Sequence, residues 1–352
     1  LCTSNLPDVA VVPSEHFNPV TYTGDGNSTH AITGVNFQPD LVWFKRRNAA
    51  ASHVWIDAVR GTSKRISSDQ TDAESTSSTY LTAFNTDGFT TGNNAHTNEN
   101  NDTYVAWNWK ANGSGSSNTN GSINSTVSAN VDAGFSIVSY TGTGANATVG
   151  HGLSSAPELV IYKNRNDAGS TGSTNGNWIV QSTTIGVDDY LELNDTAAEA
   201  ADSGYFRSTR PSSTLLTLGT YNSNNGSSDN LIAYCFHSVD GYSKVGSYTG
   251  NGNADGTFVY TGFRPAYVMV KRTDSANYWL VLDDTRREYN PNFTSLYPNL
   301  SNAEDNFGNG TGIDFLSNGF KHRDNVASTN ASGGTYIYLC FAETPFKYSN
   351  GK

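Results

Sequence analysis

Alternating apolar positions mark three stretches of this chain as β-strands: Thr103–Trp109, Asn230–Phe236 and Thr335–Phe341. With a period of two, Val105, Trp107 and Trp109 share one face, as do Ile232, Tyr234 and Phe236, and then Ile337, Leu339 and Phe341. The opposite faces carry Tyr104, Ala106 and Asn108, then Leu231, Ala233 and Cys235, then Tyr336, Tyr338 and Cys340. One face is strongly apolar and the other moderately so, the pattern of a central strand in a sandwich whose second face is partly covered. A neighbouring copy is the expected cover for that second face. No long stretch shows the i, i+3, i+4 spacing of an amphipathic helix. The best helical candidate is 195–202, with Asp195 as N-cap and Gly204 as terminator. The chain reads as all-β.

The three strands close three copies of one longer pattern. Tyr22-Thr23-Gly24 recurs as Tyr140-Thr141-Gly142 and Tyr248-Thr249-Gly250, at spacings of 118 and 108 residues. After each comes a proline, an apolar run and a lysine six positions on: Pro39 to Lys45, Pro157 to Lys163, Pro265 to Lys271. A Trp-centred run follows, read as Val54-Trp55-Ile56, Trp178-Ile179-Val180 and Trp279-Leu280-Val281. An Ala-Glu pair then ends at Glu74, Glu199 and Glu304, each five positions after Asp69, Asn194 or Asn299. The period far exceeds the roughly 20–50 residues of solenoid repeats. About 100 residues suffice for a core of their own. The pattern therefore predicts three tandem antiparallel β-sandwich domains of jelly-roll or lectin-like type, at 17–111, 135–243 and 244–352. Residues 1–16 read as a connector from a preceding domain. Residues 112–134, rich in Ser, Asn and Gly, read as a linker, or, given the strand character at Ile123 and Val127, as a stretch lying along a neighbouring sheet.

Charge removes one class of function. The net charge is -11, and the three copies carry -2, -6 and 0. No copy is basic, so the counter-ion release that drives nucleic-acid binding is missing. Lys45-Arg46-Arg47 reads as a solvated strand end. No apolar run approaches the roughly 20 residues of a membrane span, so no membrane insertion is expected. Cys235 and Cys340 hold equivalent places in separate copies and Cys2 has no evident partner, which suggests free thiols and folding in a reducing cytosol. The start at Leu1, without Met or a signal peptide, is read as the C-terminal part of something longer.

Catalytic patterns are sparse. No Gly-x-Ser-x-Gly elbow is present, and the seven histidines lack metal-ligand spacing. His53, Trp55 and Asp57 fall on one strand face by alternation. Asn251-x-Asn253-x-Asp255-Gly256 places oxygen ligands as a calcium loop does, but Gly262 stands where the completing glutamate would be. The adjacent acids Asp188-Asp189 and Asp283-Asp284 are the pairs to weigh for glycoside hydrolysis. A glutamate repeated in every copy is better explained by the fold. No catalytic residue, metal or cofactor is assigned. Recognition is expected on loops that the copies do not share. One is the polar loop at 92–101, and the other is the aromatic insertion at 288–298. In the third copy Tyr289, Asn290, Phe293 and Tyr297 would stack on and bond a glycan, with Arg286 and Arg287 meeting acidic substituents.

The segments Phe135–Gly144, Gly150–Pro157, Val245–Gly252, Phe258–Pro265 and Ala331–Glu343 resemble a repeat family in virion proteins of tailed phages, marine ones especially. In that family a SPRY-type, concanavalin-like domain often precedes the repeats, and residues 1–7 are similar to the exit from one. The resemblance covers nearly all of 17–349 and implies a tail fibre or other structural protein, with no established catalytic residues. What it implies is a non-enzymatic fibre or spike component of the virion, made in the host cytoplasm and released by lysis. Its implied partners are other virion proteins and a host surface polysaccharide. A passive capsid-surface decoration fibre, or a polysaccharide depolymerase, is the alternative. Phage fibres are commonly homotrimers, and the faces at Tyr336, Tyr338 and Cys340 are the ones that partner chains would cover.

Overall fold

In the computed structural model, residues 11–167, 176–306 and 312–345 are described. Every strand pairing within the sheets is antiparallel, and helix is confined to single turns such as Ala95–Asn98 and Ser203–Phe206. All-β is the fold class. In each copy the opening strand lies on one side of the closing strand and the proline strand on the other. Phe17–Thr23 and Leu41–Arg46 flank Thr103–Trp109. Phe135–Thr141 and Leu159–Asn164 flank Asn230–Phe236. Ser243–Thr249 and Phe263–Arg272 flank Thr335–Pro345. The closing strand is thus central, as its two apolar faces predict. These sheets have six, eight and four strands, and each faces a smaller sheet of two or three strands from its own copy.

The two faces of the central strand have roles opposite to those expected. The moderately apolar face packs inward: Ala106, then Leu231, Ala233 and Cys235, then Tyr336, Tyr338 and Cys340, each in a core belonging to a single copy. The strongly apolar face packs outward, and there all three copies share one core. Val105, Trp107, Trp109, Ile232, Tyr234, Phe236, Ile337, Leu339 and Phe341 belong to it together. The equivalent residues Trp109, Phe236 and Phe341 converge, with Phe341 5.8 Å from Trp109 and 6.1 Å from Phe236 between ring centroids. Large rings fill the wide wedge between three sheets, whereas small residues such as Ala106 and Ala233 let a second sheet approach closely. Tyr336, Tyr338 and Cys340 are consequently covered within the chain, with exposures of 0%, 4% and 0%, and offer no face to a homotrimer.

Three other expectations are corrected. The 112–134 stretch is not a free linker but takes the alternative course along a sheet: its strands Ser116–Asn118 and Ser125–Asn130 extend that of the second copy. Its Ile123 and Val127 enter that copy's core. The 195–202 segment is not helical. Asp195 Oδ1 accepts the Ala197 N–H in a tight turn, and Asp202 instead caps the turn Ser203–Phe206. The chain runs extended there because the Glu199 N–H bonds to the Thr273 carbonyl of the next copy. Lastly, Lys163 pairs with Trp178 and Lys271 with Trp279 across the sheet. The register Phe44↔Val54 puts His53, not Trp55, at that place in the first copy. The His53 N–H also bonds to Asp69, as those of Trp178 and Trp279 bond to Asn194 and Asn299.

Candidate functional site

The repeated markers lie where one copy meets the next. At the first junction Glu74 receives a bidentate pair of bonds from Arg165 of the second copy, at 2.7 and 2.9 Å. At the last, Glu304 receives Arg47 of the first copy at 2.9 and 2.9 Å, closing the three copies into a ring. The marker lysines are fully buried, and each reaches a carbonyl of the adjacent copy: Lys45 to Ser301, Lys163 to Thr71, Lys271 to Thr196. Burial lowers all three lysine pKa values from 10.5 to about 8. Lys45-Arg46-Arg47 is therefore no solvated strand end. Lys45 and Arg47 join copies, and Arg46 pairs with Asp102.

A second polar set accompanies the glutamate at two junctions. Asp57 is held by Arg60 of its own copy at 2.5 Å and accepts the Tyr234 hydroxyl of the next at 2.7 Å. Asp283 is held likewise by Arg286 at 2.6 Å and accepts Trp107 Nε1 at 2.9 Å. Arg60 and Arg286 also reach Glu74 and Glu304, at 3.2 and 3.1 Å. Burial raises the pKa of these glutamates, but the bonds and charges of the two arginines outweigh it and hold both carboxyls below their usual range.

The junction between the second and third copies lacks these cations. Sheet register places Ser182 where Asp57 and Asp283 stand, so Ile185 replaces Arg60 and Arg286. Leu339 replaces Tyr234 and Trp107, and Thr273 stands in the place of Arg165 and Arg47. A cavity of about 440 Å³ opens there, lined by residues that include Thr184, Ile185, Glu199, Ser247, Thr273 and Ile337. The Glu199 pKa is raised, first by burial and then by Asp189 and Asp274, with Thr273 as the opposing hydrogen-bond partner. A second cavity, of about 460 Å³, lies between the third and first copies beside Arg264, Asp284, Glu288 and Glu343. Its arginine is paired with Glu343.

The six residues expected to hold a glycan are not one accessible set. Arg286 is fully buried in the Asp283–Glu304 network. Asn290 spends both amide atoms on the Phe315 backbone, at 2.8 and 2.9 Å. Tyr297 packs against the third copy's own core, with its hydroxyl on Asp305. Arg287 lies over Phe293 at 3.8 Å. Tyr289 alone is widely open, at 72% exposure. Sequence reading missed Tyr260 at 62%, Phe258 at 43% and Tyr278 at 44%. Phe258 and Tyr260 alternate along the edge strand Phe258–Tyr260 of a three-stranded sheet. That aromatic–Val–aromatic alternation before Gly262 was the available signal.

Other candidates resolve into structure. His53 accepts Trp43 Nε1 at 2.8 Å inside the shared core. Asn251 and Asn253 accept N–H groups two residues on, and Asp255 pairs with Lys321 at 2.6 Å. No group of three or more His, Cys, Asp or Glu side chains suited to a metal occurs among the described residues. Cys235 and Cys340 are free and buried, and Cys2 lies outside the described residues. No helix among the described residues is long and apolar enough to cross a membrane.

The chain belongs to the family described as a domain of unknown function (DUF7483), whose model matches residues 12–345. One family model thus runs through all three copies. No curated protein matches the chain.

Proposed function

For a member of this family closed into a ring of three copies, we propose a non-enzymatic role as a tail fibre or spike component of a phage virion. In this reading three tandem sandwiches of jelly-roll or lectin-like type form a rigid body that contacts host-surface glycan through the third copy. The observation that carries it is the placing of exposed aromatic rings. Phe258, Tyr260, Tyr278 and Tyr289 all belong to the third copy, whereas Tyr221 is the exposed large aromatic of the second. Aromatic faces on a rigid scaffold suit sugar rings, and single exposed rings elsewhere need no function. The ring supplies three-fold shape within one chain, so a homotrimer would have to use outer surfaces. Its partners in this reading are other virion proteins and a host polysaccharide. Labelling of intact particles with an antibody against the chain tests the reading. Label on an appendage supports it, and label absent from every appendage overturns it.

A further inference from the structure

Two of the three junctions place guanidinium groups in front of the marker glutamate. Glu74 meets Arg60 and Arg165, and Glu304 meets Arg286 and Arg47. Arg165 also donates to the Ser139 hydroxyl at 3.3 Å. At the third junction Ile185 and Thr273 stand in place of the arginines, while the glutamate persists as Glu199 and the serine as Ser247, beside the cavity of about 440 Å³. Arg210 of the second copy donates to the Ser182 and Ile185 carbonyls and not to Glu199. Arg272 is turned to Asp274 at 2.9 and 3.0 Å. The volume falls within the range of about 300–1,000 Å³ typical of small-ligand sites. It exceeds one guanidinium and leaves room for the group that carries it.

We propose that this cavity binds a guanidinium group from outside the chain, seated on Glu199 as the arginines are seated on Glu74 and Glu304. The internal copies give the geometry: at both filled junctions a carboxylate accepts a planar fork of N–H donors, and at the first a serine hydroxyl, Ser139, lies beside it. Thr184, Ser247, Thr273 and Ile337 line the cavity with Glu199. The site stands independently of the proposed virion role. The guanidinium comes either from a small guanidino compound or from an arginine side chain of a peptide.

Calorimetric titration of the whole chain tests this, with ethylguanidinium as the bare group and N-acetyl-arginine amide as the peptide form. Saturable one-site binding of either is expected, and the tighter of the two identifies the source. Glu199→Gln should weaken binding about tenfold or more, as the loss of a charge-assisted hydrogen bond requires. Thr273→Arg should abolish it, because the protein's own guanidinium then takes the place of Arg165 and Arg47. If Glu199→Gln fails to melt cooperatively, Thr273→Arg decides alone. No saturable binding, binding unchanged in folded variants, or ethylammonium bound as tightly as ethylguanidinium overturns the proposal.

Discussion

Glu304 and Arg47 lie 257 residues apart in sequence and are joined by two parallel hydrogen bonds of 2.9 Å. The pair closes the ring, and the same carboxylate steadies the buried guanidinium of Arg286. Glu304→Ala leaves two arginines without that anion and should cost about 3 kcal/mol, the scale for breaking a buried pair. Arg47→Ala should cost less, since Arg286 still neutralises Glu304. Urea unfolding monitored by Trp fluorescence measures both.

The buried lysines predict a rise of stability with pH. In the folded chain Lys45, Lys163 and Lys271 lose their protons near pH 8, because burial disfavours the charge; in the unfolded chain they keep them to 10.5. Between those values the unfolded state binds more protons, so each lysine adds up to about 1.4 kcal/mol per pH unit. The gain should run from pH 8 to about pH 10, where tyrosine ionisation in the unfolded chain opposes it. Glu74 and Glu304 have lowered pKa values, so their contribution is present at neutral pH and lost as acid protonates them below the usual carboxylate range. Thermal unfolding across pH checks the alkaline limb, and Lys163→Met should flatten it.

The turn that opens each copy depends on a buried asparagine that sequence reading did not single out. Asn98, Asn225 and Asn330 accept the N–H of Asp25, Thr143 and Asn251. A Cβ on Gly250 would sit 2.3 Å from the Ala331 carbonyl oxygen, a backbone atom that cannot swing aside. Gly250→Ala should therefore lose about 2–3 kcal/mol. Differential scanning calorimetry measures the loss.

The exposed rings give a binding prediction distinct from these. On the proposed glycan-binding role, Tyr260→Ala with Tyr289→Ala should weaken attachment to the polysaccharide about tenfold, at roughly 0.5–1.5 kcal/mol for each ring by analogy with aromatic pairs. The melting temperature should not change, since both rings face solvent. Surface plasmon resonance on immobilised host polysaccharide reads the first quantity, and equal binding by the folded variant refutes the site.

Strand positions were legible because alternation is a local signal: Val105, Trp107 and Trp109 announce a buried face without reference to anything distant. What covers that face was not legible. Phe17 stacks on Phe341 at 4.5 Å from the far end of the chain, and nothing in either neighbourhood names the other. The markers were visible, but their meaning lies in partners such as Arg47 and Glu304. His53 was not recognised as the counterpart of Trp178 and Trp279 because Trp55, two positions on, imitates them. The linker misled through composition, since Ser and Asn at 116–130 pair along the next sheet as readily as they fill a coil. Among the site residues, Arg286 carried the right charge but faced Asp283 rather than solvent.

A core shared by all three copies makes them one folding unit. Residues 244–352 expressed alone would expose Val245, Tyr267, Met269, Trp279, Leu339 and Phe341, all buried in that core. The amide correlation NMR spectrum of this fragment reads out whether the third copy folds without its neighbours. Dependence on the shared core gives poorly dispersed, broadened peaks and no cooperative melt. A well-dispersed spectrum from a cooperatively folded fragment would contradict it.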